Sequence, residues 1–151
     1  MSNYKLIQLT NTNIGTLPAN SFIPVGLITR RINASVNSNV TFQVASSASD
    51  TVYLNEPGSY KVTYVGSFSA GAVGNFAISL LANNTAVMTS QETVAAADDY
   101  VNITLTYVVR VCPTCCSAPA TCPMSIQLQV GDVATSATEI STANLIIEKV
   151  S

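Results

Sequence analysis

Four cysteines crowd into residues 110–123, as Cys112, Cys115, Cys116 and Cys122. Their types and spacing are the strongest suggestion of chemistry in the chain. Cys112-Pro113-Thr114-Cys115 has the spacing of a redox pair, but that chemistry wants the first cysteine at a helix N-terminus, where the thiol pKa falls. Here Cys116, Ser117 and Pro119 follow, with no helical period behind them. Four thiolates in a short span can also close a tetrahedral zinc site. Against zinc, a second CxxC knuckle is missing, and the adjacent Cys115 and Cys116 strain a single tetrahedron. The structural reading remains: free thiols, or a disulfide such as Cys112–Cys122 that ties the base of the loop once the protein meets an oxidising medium.

No histidine occurs anywhere, which removes histidine-based acid–base catalysis, Ser–His–Asp triads and histidine-ligated metals. The carboxylates are Asp50, Glu56, Glu92, Asp98, Asp99, Asp132, Glu139 and Glu148. Glycoside hydrolysis needs two of them facing across a cleft, whereas the adjacent Asp98 and Asp99 read as a solvated turn. Arg30 and Arg31 end an apolar strand. They suit ion pairs with a neighbouring subunit, or they are simply the solvated end of that strand. Tyr53, Tyr60, Tyr64, Tyr100 and Tyr107 could line a sugar-binding surface, but Tyr60, Tyr64 and Tyr107 fall on the core-facing pattern. The expectation is a non-enzymatic protein without cofactor or metal.

Those residues must be held by strands, because no segment shows a helical period. The stretch over 50–70, DTVYLNEPGSYKVTYVGSFSA, reads as strand, turn, strand. Pro57-Gly58 fits the centre of a type II turn, with Pro presetting φ and Gly accepting φ > 0. After it, Tyr60, Val62, Tyr64, Gly66 and Phe68 share one face, which makes this strand the centre of the core. Further strands are expected over 4–10, 40–45 (Phe42 and Val44 on one face), 75–81 (Phe76, Ile78 and Leu80 inward), 101–109 (Val101, Ile103, Leu105, Tyr107 and Val109 inward), 124–130 and 143–150. Asn83 and Asn84 both accept positive φ and fit a hairpin turn into 85–89. Pro24 and Gly26 make the apolar run over 21–32 an edge or bulged strand. Many short strands in a chain of 151 residues mean an all-β sandwich, a jelly roll.

Hydrophobic residues make up 48% of the chain and charged residues 9%, against an average of about 25% charged. A surface so poor in charge fits a protein that hides much of it in an assembly. The net charge is −2, and beyond Arg30-Arg31 there is no basic cluster, so no nucleic acid partner is expected. No apolar run is long enough to span a bilayer as a helix, and no membrane partner is expected. The first residues lack the apolar core of a signal peptide, which implies synthesis in a cytoplasm.

The order of parts resembles the C1q/TNF-like jelly roll. The likeness lies in an apolar first segment, the turn and strand EPGSYKVTYVGSF (56–68), the long alternating strand VNITLTYVV (101–109) and the closing strand ANLIIEKV (143–150). The chain is also similar to small jelly-roll proteins encoded by phages of gut bacteria. They share an IP-G-ITRR-like segment (23–32 here), a G-Y strand (58–64) and cysteines after the Val-Arg of a later strand (Val109-Arg110, then Cys112, Cys115 and Cys116). The resemblance implies a homotrimer on a virion surface, as a head fibre or decoration protein of the capsid or a tail-tip component, with other virion proteins as partners. A second class of role is a receptor- or glycan-binding head whose loops over 33–39, 95–99 and 110–123 contact a bacterial surface. The likeness runs from about Ser21 onward, so 21–151 is expected to be the jelly-roll domain. Residues 1–20 are then either its first strand or an attachment arm that engages a partner through Leu6, Ile7 and Leu9.

Overall fold

Alternation with a period of two produces two stacked sheets. The computed structural model describes residues 4–32, 41–111, 124–136 and 140–150. Among them the strands are β1 (Lys5–Asn11), β2 (Leu27–Ile32), β3 (Phe42–Gln43), β4 (Val52–Leu54), β5 (Gly58–Ser69), β6 (Gly74–Ala82), β7 (Thr85–Val94), β8 (Tyr100–Val111), β9 (Met124–Val130) and β10 (Thr142–Lys149). Sheet A has the order β2-β1-β10-β5-β8 and sheet B the order β3-β4-β9-β6-β7, with neighbours antiparallel throughout.

The predicted inward faces meet between the sheets. From sheet A, Ile7, Leu9, Tyr60, Val62, Phe68, Ile103, Leu105, Leu145 and Ile147 are buried. From sheet B, Phe42, Val52, Leu54, Phe76, Ile78, Leu80, Ile126, Leu128 and Val130 face them. Each such side chain contributes about 1.5–3 kcal/mol by leaving water. Two aromatic contacts bridge the layers: Phe42 meets Tyr60 edge-on at 6.0 Å between centroids, and Phe68 lies 5.5 Å from Phe76. Gly66 makes room for the second, because a Cβ there would stand 2.4 Å from the Phe68 ring.

Turn chemistry explains some junctions and misses others. Asn83 and Asn84 adopt φ of 50° and 67° and close the two-residue β6–β7 hairpin, as expected. The hairpin is longer than its sequence pattern, with β7 running to Val94. Pro57-Gly58 is a corner rather than a hairpin. Gly58 has positive φ, but β4 lies in sheet B and β5 in sheet A, so the chain changes layers there. The expected strand over 40–45 shrinks to Phe42–Gln43, with Val44 packed half-buried against the core.

The run over 21–32 divides at Gly26. Before it, the Ile23 amide donates to the Leu128 carbonyl and the Val130 amide to that of Ser21, which lays this segment beside β9 in sheet B. Gly26 takes φ of 88°, and a Cβ there would meet the Thr10 carbonyl oxygen at 2.3 Å, so only glycine fits. After it, β2 pairs with β1 on one side only, as an edge strand with a bulge opposite Gln8 and Leu9.

Candidate interaction surfaces

Of residues 1–20, expected to be either a first strand or an attachment arm, Lys5–Asn11 is a strand in the body of the sandwich. β1 is hydrogen-bonded on both sides, to β2 and to β10. Ile7 and Leu9 are wholly buried between the sheets, and Leu6, although it faces outward, is only 9% exposed. As interface candidates these three residues are therefore corrected. Their apolar character is that of a central strand, which leaves nothing to present to a partner.

Arg30 and Arg31 are exposed on β2 at the free edge of sheet A. Arg31 pairs with the inward Ile7 and Arg30 with the outward Gln8, so the two side chains leave the strand on opposite faces. Among the described residues the one ion pair is Lys5–Glu56 at 3.0 Å, so neither arginine has a carboxylate partner there. Cys112, Cys115, Cys116 and Cys122 lie outside the described residues, as do Glu139 and the loop over 33–39.

The carboxylates do not converge. Glu148 accepts from the Tyr4 hydroxyl at 2.9 Å. That bond, with some burial and the Glu148 charge, raises the Tyr4 pKa. Glu56 sits at the corner before β5. Burial pushes its carboxyl up, but hydrogen bonds from Lys5 and Thr41 and the charges of Lys5 and Lys149 outweigh it, so the group is held below the usual carboxylate range. Asp98 and Asp99 form an exposed turn, as expected, with Asp98 at φ of 68°.

Sequence patterning missed a seam of small hydroxyl residues at one end of the sandwich. Ser69, Thr135, Ser136 and Ser141 are buried. The Ser136 amide donates to the Ser69 carbonyl at 2.7 Å, and the Ser69 amide to the Ser141 hydroxyl at 2.9 Å. The Ser136 hydroxyl donates to the Asp98 carboxylate, and the Thr135 hydroxyl to the Gly15 carbonyl at 2.9 Å. A serine beside a carboxylate without a histidine base has no activated nucleophile. This seam stitches loops together. Its only trace in the sequence is the small-residue run VATSATEISTA, which alternates with nothing.

Apolar side chains are also exposed in a group. Val65 (44% exposed) and Val108 (57%) stand on the outer face of sheet A among Thr63, Thr104 and Thr106. Tyr107, expected in the core, has inward parity but is 36% exposed, whereas Ile103, Leu105 and Val109 on the same face of β8 are buried. Met88 of β7, the last strand of sheet B, is exposed as well. The outer face of sheet A beside β8 thus offers a partly apolar surface, with the exposed Lys61 directly opposite Val108.

No protein-family model matches the sequence, and no curated relative does. Solved structures match it over nearly its whole length. The PRD1 vertex protein P5 superposes with a TM-score of 0.65 at 11% identity, covering 97% of both chains. The globular domain of zebrafish complement 1qA protein gives 0.67 at 7% identity, over 99% of this chain and 98% of that one. Murine APRIL at pH 8.0 gives 0.61 at 9% identity, over 97% and 99%. The fold is a C1q/TNF-like jelly roll. The resemblance read from four sequence segments therefore holds at the level of architecture. At these identities the fold is what the likeness carries, and side-chain roles come from this chain's own surface.

Proposed function

We propose that the chain is a non-enzymatic structural protein of a phage particle, a homotrimeric jelly roll displayed on the capsid as a fibre or decoration protein. The observation that carries this reading is the end-to-end match with a phage vertex protein, which leaves neither chain with an unmatched domain. The exposed apolar side chains of Val65 and Val108 on the outer face of sheet A support self-association, as does the low charge of the whole chain. The scattered carboxylates and the lack of histidine support a role without catalysis.

Two measurements test the two halves of the proposal. Sedimentation of the purified chain at micromolar concentration should give three times the monomer mass, and a monomer at every concentration would overturn the trimer. Mass spectrometry of purified particles from the source phage should find the chain at high copy number. Its absence from intact particles would overturn the virion role whatever the oligomeric state.

A further inference from the structure

We propose that the free edge of β2 receives an extended acidic segment of another protein, which adds to sheet A as a further strand with carboxylates against Arg30 and Arg31. β2 is paired with β1 on one side, and its other side faces no strand among the described residues. Strand addition at such an edge draws affinity from main-chain hydrogen bonds and specificity from alternating side chains. The edge here carries its own specificity. Ile28, Thr29, Arg30 and Arg31 line an open recess of about 470 Å³, and the two guanidinium groups project to opposite faces of the sheet. An incoming strand that meets both needs two adjacent carboxylates, one for each face, because successive residues of a strand alternate in direction.

Charge decides between occupants. Neither arginine is ion-paired within the described chain, in a protein that has only six Lys and Arg residues in all. A second copy of β2 would gather four guanidinium groups along one seam, and like charges across a strand pair are destabilising. Arginine at an edge thus turns away its own kind, the usual guard against edge-to-edge aggregation. The same two groups form strong bidentate bonds with carboxylates. The site is separate from the proposed trimer surface, because β2 and β8 are the opposite edges of sheet A.

The test is fluorescence anisotropy of the full chain with a short labelled peptide of alternating Thr and Val around a central Glu-Glu pair. Binding is expected, with a loss of about tenfold or more when the pair becomes Gln-Gln and in the Arg30→Gln/Arg31→Gln variant. Arg30→Lys/Arg31→Lys should recover only part of it, since an ammonium group cannot make the bidentate contact. A peptide N-methylated at alternate backbone nitrogens should also lose binding, which plain charge attraction would not predict. Undiminished binding of the methylated peptide or to the Gln variant, with circular dichroism unchanged, would overturn the proposal. So would the absence of binding to any peptide. Equal binding of oligogalacturonate would assign the edge to an anionic glycan and overturn the peptide reading. The sedimentation behaviour of the chain should be the same in all variants.

Discussion

Lys5 Nζ lies 3.0 Å from Glu56 Oε1, tying the first residue of β1 to the corner where the chain leaves sheet B for sheet A. Lys5 also donates to the Thr41 hydroxyl at 2.8 Å, and the Tyr60 hydroxyl donates to the Glu56 carbonyl at 2.6 Å. The Asn55 amide donates to the Thr41 carbonyl at 2.9 Å. One ammonium group thus joins the first strand, the approach to β3 and the layer-changing corner.

This arrangement predicts a pH dependence. The Glu56 pKa is lower in the folded protein than its ordinary value of 4.5, so its contribution is present above that value and is lost as pH falls through the folded pKa. The pair is partly exposed, so the contribution is below about 1 kcal/mol. Glu56→Gln should melt a few degrees below the native chain at about pH 6, and the gap should be smaller at about pH 3. Thermal melts followed by circular dichroism at the two pH values check it. A gap that widens in acid would contradict the sign.

Gly66 should be intolerant of any side chain. Its missing Cβ leaves the place that the Phe68 ring occupies at 2.4 Å, and Phe68 in turn bridges to Phe76 of the other sheet. Gly66→Ala should cost about 1–3 kcal/mol as an overpacked core position. Phe76→Ala, which removes the far side of the contact, should cost about 3–5 kcal/mol. Urea denaturation measures both.

Charges placed on the outer face of sheet A should separate assembly from folding. Val65 and Val108 are exposed and take no part in the interior contacts. Val65→Asp/Val108→Asp should give a folded protein with an unchanged far-ultraviolet spectrum that sediments as a monomer. A double variant that remains trimeric would move the interface elsewhere.

Replacing Cys112, Cys115, Cys116 and Cys122 by serine should leave both sheets intact, because none of the described strands contains a cysteine. If Cys112 and Cys122 are joined, reductant should lower the stability of the native chain by about 3 kcal/mol in the chain-entropy model and leave the serine variant unmoved. Sensitivity to chelator instead would mark a metal. Melting of both proteins with and without each reagent distinguishes these outcomes from free thiols, which respond to neither.

Much of the architecture was legible in the sequence. Period-two alternation placed Tyr60, Val62, Tyr64 and Phe68 inward on β5, Phe76, Ile78 and Leu80 on β6, and Ile126, Leu128 and Val130 on β9, and all of them are buried. Alternation reports which way a side chain points, and that is a local property of the backbone. Asn83-Asn84 announced its hairpin for an equally local reason, the tolerance of asparagine for positive φ.

Which strand lies beside which is not a local property, and only the tertiary structure decided it. Pro57-Gly58 specifies a reversal but not whether the chain returns along its own sheet or crosses to the other. Leu6, Ile7 and Leu9 have the same apolar pattern in a projecting arm as in a strand between β2 and β10, and pairing 134 or more residues along the chain places them in the second. Tyr107 has the inward parity of Leu105 and Val109, yet it is exposed while they are buried, a difference that alternation along the strand cannot report. Arg30 and Arg31 read identically at any strand end. Their position on an edge without a carboxylate partner follows from long-range pairing, whose register is set by burial across the whole sandwich.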